Sequence, residues 1–231
     1  MTGGEGVRRE GRPGKASARG YYHGMLPDFD PNAHDVFLLR QKWALVVNRY
    51  IFSLPDAEGN EGQRFAFVEQ KRMKLKEDIR FYTDETKTVQ LLGIKARQRF
   101  DPRARYDITG PSGEKIGEIQ KAFARSLVRS TYVLFDPNGD PVCEATERSL
   151  GVALFRRLVG FVPYIGGYAD WLPIPYHFVF SRDGQALVHH TRRAWKLTDH
   201  YTIDCTPDRE RTLDRRLVLA AAVGMDALQA R

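Results

Sequence analysis

Large apolar side chains recur with a period of two in six short segments, each starting on a ring or a large aliphatic residue. They are Tyr50-Ile51-Phe52, Ile79-Arg80-Phe81, Tyr106-Asp107-Ile108, Tyr132-Val133-Leu134, Phe178-Val179-Phe180 and Tyr201-Thr202-Ile203, with starts 29, 27, 26, 46 and 23 residues apart. Between them recurs a second kind of segment that ends in a polar-basic pair: Gln41-Lys42, Gln70-Lys71, Ala96-Arg97, Gln120-Lys121, Glu147-Arg148 and Arg192-Arg193. Alternation such as Glu118-Ile119-Gln120 suits antiparallel strands with one face inward and one outward. Each repeat is then two strands, and six repeats predict twelve. Pro111-Ser112-Gly113, Asp136-Pro137-Asn138-Gly139 and Arg182-Asp183-Gly184 supply the fixed φ of proline and the positive φ that glycine or asparagine tolerates in turns.

The closing stretch, Arg215 to Gln229, follows a different period. At 100° per residue Leu217, Leu228, Met225 and Val218 fall on one side of a helix and Leu219 and Val223 on the other, leaving a sector of small residues, Ala220, Gly224 and Ala227. A helix apolar all round must be buried. Its apolar run, Leu217 to Met225, is only nine residues, against about 20 for a membrane span, which points to a protein interior. Burying its six large side chains would contribute roughly 10 to 18 kcal/mol before entropy is subtracted. Twelve antiparallel strands rarely stay open, and a closed barrel of twelve is too wide for its own side chains to fill. The expected architecture is therefore mainly β: a closed twelve-stranded antiparallel barrel, residues 25–231, enclosing the C-terminal helix at about 214–229. The small sector would let one wall approach closely.

Composition adds limits. The chain has 231 residues, 42% hydrophobic and 28% charged, a length that suits one large all-β domain as well as two small ones. Two cysteines, Cys143 and Cys205, are too few for a disulfide scaffold, lack metal-ligand spacing, and read as small core residues in a cytoplasmic protein. No apolar leader segment and no 18-residue apolar run occur. Residues 1–24 carry five basic side chains against Glu5 and Glu10, with no aliphatic residue larger than Val7, and are expected to form a disordered basic tail.

The repeated basic-aromatic hairpins with Gln-Lys pairs, the approach Trp171-Leu172-Pro173-Ile174-Pro175-Tyr176 to a late strand, and the closing Leu-Val-Leu-Ala-Ala-Ala helix followed by Asp226 resemble the LURP-one-related proteins. Those belong with the tubby C-terminal domain and the phospholipid scramblases in one superfamily. The resemblance covers about Asp35 to Gln229. It implies a twelve-stranded barrel around a central hydrophobic helix. It also implies functions at membranes, since tubby domains bind phosphoinositide head groups through basic residues and scramblase relatives act on lipid.

The spacing of 46 places an insertion at 149–171, rich in large apolar residues and carrying Arg156-Arg157. It reads either as a lid over one barrel mouth or as an amphipathic patch that meets a membrane interface, with the arginines on lipid phosphates. Charge is concentrated too: Lys71 to Arg105 holds eleven basic and five acidic residues, a net of +6 out of +7 for the chain. Arg72, Lys74 and Lys76 share one parity, as do Arg97 and Arg99, so each group would project from one sheet face. That patch is a solvated surface, an anion site for lipid head groups, or a nucleic-acid contact.

Chemistry is sparse. No Gly-x-Ser-x-Gly, phosphate loop or His-Glu-x-x-His is present. His189-His190 would point to opposite faces, and Asp226 has no partner carboxylate for acid-base work. No helix-turn-helix, zinc module or stacking platform argues for nucleic acid. The reading is a non-enzymatic domain without cofactor or metal, cytoplasmic and peripheral at membranes. It recognises anionic phospholipid or phosphoinositide head groups through Arg72, Lys74, Lys76, Arg97, Arg99, Arg156 and Arg157. Two alternatives stand beside it: a protein-binding scaffold or regulatory domain acting through 149–171, and scramblase-like lipid transport.

Overall fold

The structure, a computed structural model, describes residues 29–42, 47–71, 78–97, 105–122, 130–148, 177–193 and 199–229. After a 3-10 turn at Pro31–Ala33, the first six strands are β1 (Val36–Lys42), β2 (Val47–Pro55), β3 (Glu61–Lys71), β4 (Asp78–Tyr82), β5 (Gln90–Ala96) and β6 (Arg105–Thr109). Then come β7 (Lys115–Lys121), β8 (Thr131–Phe135), β9 (Pro141–Glu147), β10 (His177–Arg182), β11 (Gln185–Arg193) and β12 (Asp199–Asp204), followed by one helix, α1 (Arg215–Gln229). Each strand pairs with its neighbour in sequence, and β1 pairs antiparallel with β12, so the sheet closes. All six triplets, five begun by a ring and one by Ile79, lie in the even-numbered strands. All six polar-basic pairs lie at the C-terminal ends of the odd-numbered ones, with Arg97 and Arg148 one residue beyond. The expected tail 1–24 and the insertion 149–171 lie outside the described residues.

Pairing explains which residues turn inward. Side chains directly opposite each other on antiparallel strands share a face, and Leu39–Phe52, Ile94–Ile108, Ile119–Leu134, Phe180–Ala145 and His190–Ile203 are such pairs. All but His190 belong to one apolar core together with the helix residues Leu217 to Val223 and Met225. The helix leans on β7, β5 and β8. Glycine is needed for that approach at Gly117, while at Gly224 a Cβ would make only ordinary contact with the wall. A Cβ on Gly224 would stand 3.6 Å from Ile94 Cδ1 and 4.0 Å from Ile119 Cδ1, while one on Gly117 of β7 would meet the Phe135 carbonyl at 2.4 Å and Leu217 Cδ1 at 3.1 Å. The small sector expected of the helix thus faces the wall at Gly224; the side chains of Ala227 and Leu228 lie outside the described residues. Elsewhere rings fill the width: Phe52 lies 5.9 Å from Phe65 and 6.0 Å from Phe81, and Phe29 stacks on Phe65 at 4.3 Å.

A buried ionic cluster fixes the start of α1. Arg215 is 1% exposed and donates from Nη1 to Asp208 Oδ2 at 2.6 Å and from Nη2 to Asp35 Oδ1 at 3.0 Å. Its backbone N–H donates to Asn32 Oδ1 at 2.8 Å. Burial would raise the Asp208 pKa, but hydrogen bonds from Arg215, Leu213 and Thr212 outweigh that and hold it below the usual carboxylate range. The cluster joins the entry to β1, the exit from β12 and the first turn of the helix. Asp214 caps that turn, accepting the Arg216 N–H at 2.9 Å and so satisfying one of the otherwise orphaned donors at a helix start.

Candidate functional site

The order of strands divides the connections between two mouths of the barrel. At one mouth the even strands before β12 turn into the next odd strands through 56–60, 83–89, 110–114, 136–140 and 183–184, and β12 leads into α1. These five turns contain eight carboxylates, Asp56, Glu58, Asp84, Glu85, Glu114, Asp136, Asp140 and Asp183, against one basic residue, Lys87. Turn chemistry accounts for part of this. Asp56 accepts the N–H groups of Glu58 and Asn60, Asp136 those of Asn138 and Asp140, and Asp84 that of Thr86, as Asx turns do. Gly139 (φ +93°) and the Asp183-Gly184 pair (φ +51° and +80°) take left-handed conformations that a β-branched residue would resist. This mouth is acidic.

The other mouth is basic, because the odd strands all end there. Lys42, Lys71, Arg97, Lys121, Arg148 and Arg193 close the six odd strands in turn. In most of the repeated pairs the first residue turns inward and the basic one follows it on the opposite side. Gln41 (0% exposed), Gln70 (6%) and Glu147 (1%) are buried, and Lys42 and Arg148 are exposed. On β7 the parity is reversed, since Lys121 lies opposite the buried Tyr132. The inward amides are held by rings. Gln41 donates to the Tyr50 hydroxyl at 3.4 Å and accepts from Tyr201 at 3.5 Å, while Tyr50 donates to Gln70 at 3.2 Å. The pair therefore has a structural meaning that the repeat alone does not reveal: across β12, β1, β2 and β3 a chain of buried polar side chains lies just beneath the basic rim.

Of the residues expected to form the anionic-lipid site, Arg97 is described. Its guanidinium is 41% exposed and engages Asp107 at 2.8 Å and Glu118 at 2.6 Å. Arg105, 2.9 Å away, and Lys115 also reach Glu118, whose side chain is 2% exposed. Burial alone would raise the Glu118 pKa, yet hydrogen bonds from Lys115, Arg105 and Arg97 hold it at about 2. Arg105 also lies over the Phe135 ring, 4.0 Å from its centroid, a cation-π contact. Three cations thus share two carboxylates on the outer wall. Sequence reasoning missed this hub; Glu118 reads locally as an ordinary outward strand position. Arg72, Lys74, Lys76, Arg99, Arg156 and Arg157 lie outside the described residues. The first three fall between the end of β3 at Lys71 and the start of β4 at Asp78.

The remaining reactive groups are sequestered. Cys143 and Cys205 are buried, and burial pushes both thiols up to about 12, which leaves the thiol form at neutral pH. Among the described residues, no three His, Cys, Asp or Glu side chains converge as metal ligands. No described helix is long and apolar enough to cross a membrane. His190 is buried between Phe178 and Tyr201, with ring centroids at 6.5 and 5.1 Å, and neither ring nitrogen has a hydrogen-bond partner among the described residues. Burial, assisted by nearby His177, holds its pKa down to about 4.

This imidazole makes stability depend on pH. Folded, it titrates near 4, whereas an unfolded histidine titrates near 6.5, so between those values the unfolded chain binds the extra proton. The contribution is fully present above about pH 6.5 and is lost as pH falls to about 4, amounting to about 3 kcal/mol. Urea titrations at pH 7, 5.5 and 4.5 should show that loss in the wild type, and a flatter profile in His190→Phe. Equal slopes in both proteins would remove His190 as the cause.

A sequence model of the LURP-one-related family matches residues 65–226. No curated protein matches the chain.

Proposed function

The chain belongs to the LURP-one-related family, and from that premise we propose that it is a non-enzymatic binding domain that recognises anionic phospholipid or phosphoinositide head groups at a membrane surface. The observation that carries this reading is the convergence of six basic strand ends at one mouth of the barrel, opposite a mouth of acidic turns. The six connections that leave and rejoin the barrel between those ends hold ten basic and three acidic residues in sequence. They include Arg72, Lys74, Lys76, Arg99, Arg156 and Arg157. Clustered lysine and arginine near an anionic membrane gain about 1 kcal/mol each. Arg97 supports the site indirectly, because its charge is shared with Asp107 and Glu118; Lys74 and Lys76 carry more of the expected attraction.

The test is flotation with phosphatidylserine- or phosphoinositide-containing liposomes. Lys74→Glu combined with Lys76→Glu replaces two attractions by two repulsions and should weaken binding about tenfold or more. Thermal unfolding of the same variant, measured alongside, separates a loss of binding from a loss of fold. Equal binding by the double variant would remove these lysines from the site. Retention on a protein partner through 149–171, insensitive to anionic lipid, would favour the scaffold reading instead.

A further inference from the structure

Three exposed basic ends are distributed around the barrel in a way that bears on how it meets its partner. Lys42 ends β1, Arg97 follows β5 and Arg148 follows β9. In the closed order of strands, three strands stand between β1 and β9, three between β9 and β5, and three between β5 and β1. The three cations therefore sit a third of the circumference apart on one rim. Lys42 and Arg148 are exposed and take part in no ion pair among the described residues, while Arg97 is shared with Asp107 and Glu118. Any contact with the side of the barrel reaches one of the three and turns the others away. Only a partner laid across the mouth meets all of them.

Resting on the anionic-lipid reading above, we infer that the barrel docks end-on, with its basic rim spread over the face of an anionic bilayer and its acidic turns directed away. The partner is a flat anionic bilayer surface rather than a single head group held against one wall. The eight turn carboxylates at the opposite mouth reinforce the orientation, because like charges repel the same surface. End-on docking also assigns work to Lys42 and Arg148, which lie far along the chain from the Lys71–Arg105 stretch.

The experiment compares the full chain with three charge reversals of equal size, using vesicles of phosphatidylcholine with phosphatidylserine. Lys42→Glu and Arg148→Glu should each weaken partitioning by about fivefold or more, and the double variant by about twenty-fivefold or more. Arg209→Glu makes the same change in net charge at an exposed position beside the acidic mouth, and should bind within about twofold of the wild type. Circular dichroism establishes that each variant is folded; should a reversal disturb folding, Lys42→Gln and Arg148→Gln replace it, with about fivefold losses expected. If the rim variants bind like wild type while Lys74→Glu/Lys76→Glu weakens binding, the contact is confined to one wall, and end-on docking fails while the lipid reading survives. If Arg209→Glu weakens binding as much as the rim variants, only net charge matters and the orientation is refuted. A wild type that ignores anionic vesicles overturns both.

Discussion

Truncation before Asp214 is expected to leave a chain without a cooperative unfolding transition, and Leu219→Asp is expected to do the same in the untruncated chain. Leu217, Val218, Leu219, Val223 and Met225 are each 2% exposed or less, and their burial is worth about 8 to 15 kcal/mol before entropy is counted. That is as large as the net stability of a typical domain, about 5 to 15 kcal/mol. Removing the helix also leaves β5, β7 and β8 facing an empty interior, which packed cores do not tolerate. Leu219→Asp instead puts a carboxylate in an apolar core where the buried cation one turn away, Arg215, is already engaged by Asp35 and Asp208, so the group must stay neutral or drag in water. Urea titration followed by tryptophan fluorescence is the check. A soluble truncate with a sigmoidal transition would overturn the enclosed-helix account.

The second large effect is expected at Arg215. Arg215→Met removes the cation but leaves Asp208, itself 1% exposed in its side chain, among the remaining donors of Thr212 and Leu213. Breaking a buried pair from one side costs about 3 to 5 kcal/mol, whereas replacing both partners with apolar residues can be nearly neutral. The variant Arg215→Met with Asp208→Leu should therefore recover part of the loss, though Asp208 also accepts from the turn that leads into the helix. Denaturation midpoints of the two single variants and the double variant give the coupling directly. Additive losses, with no recovery, would mean that Arg215 and Asp208 act independently.

The twelve strands were legible because period-two alternation is a local signal, and each of the six apolar triplets carries its own strand. The enclosed helix was legible for a related reason: an apolar surface on every side demands a container, and the repeats supply one. The basic rim was not. Lys42, Arg97 and Arg148 are scattered along the sequence, and only closure of β1 onto β12 brings all six odd-strand ends to one mouth. Local parity instead suggested a patch on one wall formed by Arg72, Lys74, Lys76, Arg97 and Arg99. Arg215 hid in a similar way, since two arginines opening a helix look like solvated surface. Their unfavourable position against the helix dipole, with no acidic residue in the first turn, was the available clue that a partner must come from elsewhere in the chain. Glu118 offered none, because its cations come from β7 itself, β6 and the end of β5.

The central claim is that the basic mouth binds anionic membranes through charge, and the binding of the wild-type chain to vesicles as a function of salt tests it most directly. Screening shortens the Debye length from about 10 Å at 0.1 M to about 3 Å at 1 M. The account predicts flotation with phosphatidylserine vesicles at low salt, loss of that flotation as salt rises, and little flotation with pure phosphatidylcholine at any salt. Absence of binding to anionic vesicles at low salt, or binding indifferent to both salt and lipid charge, would contradict it.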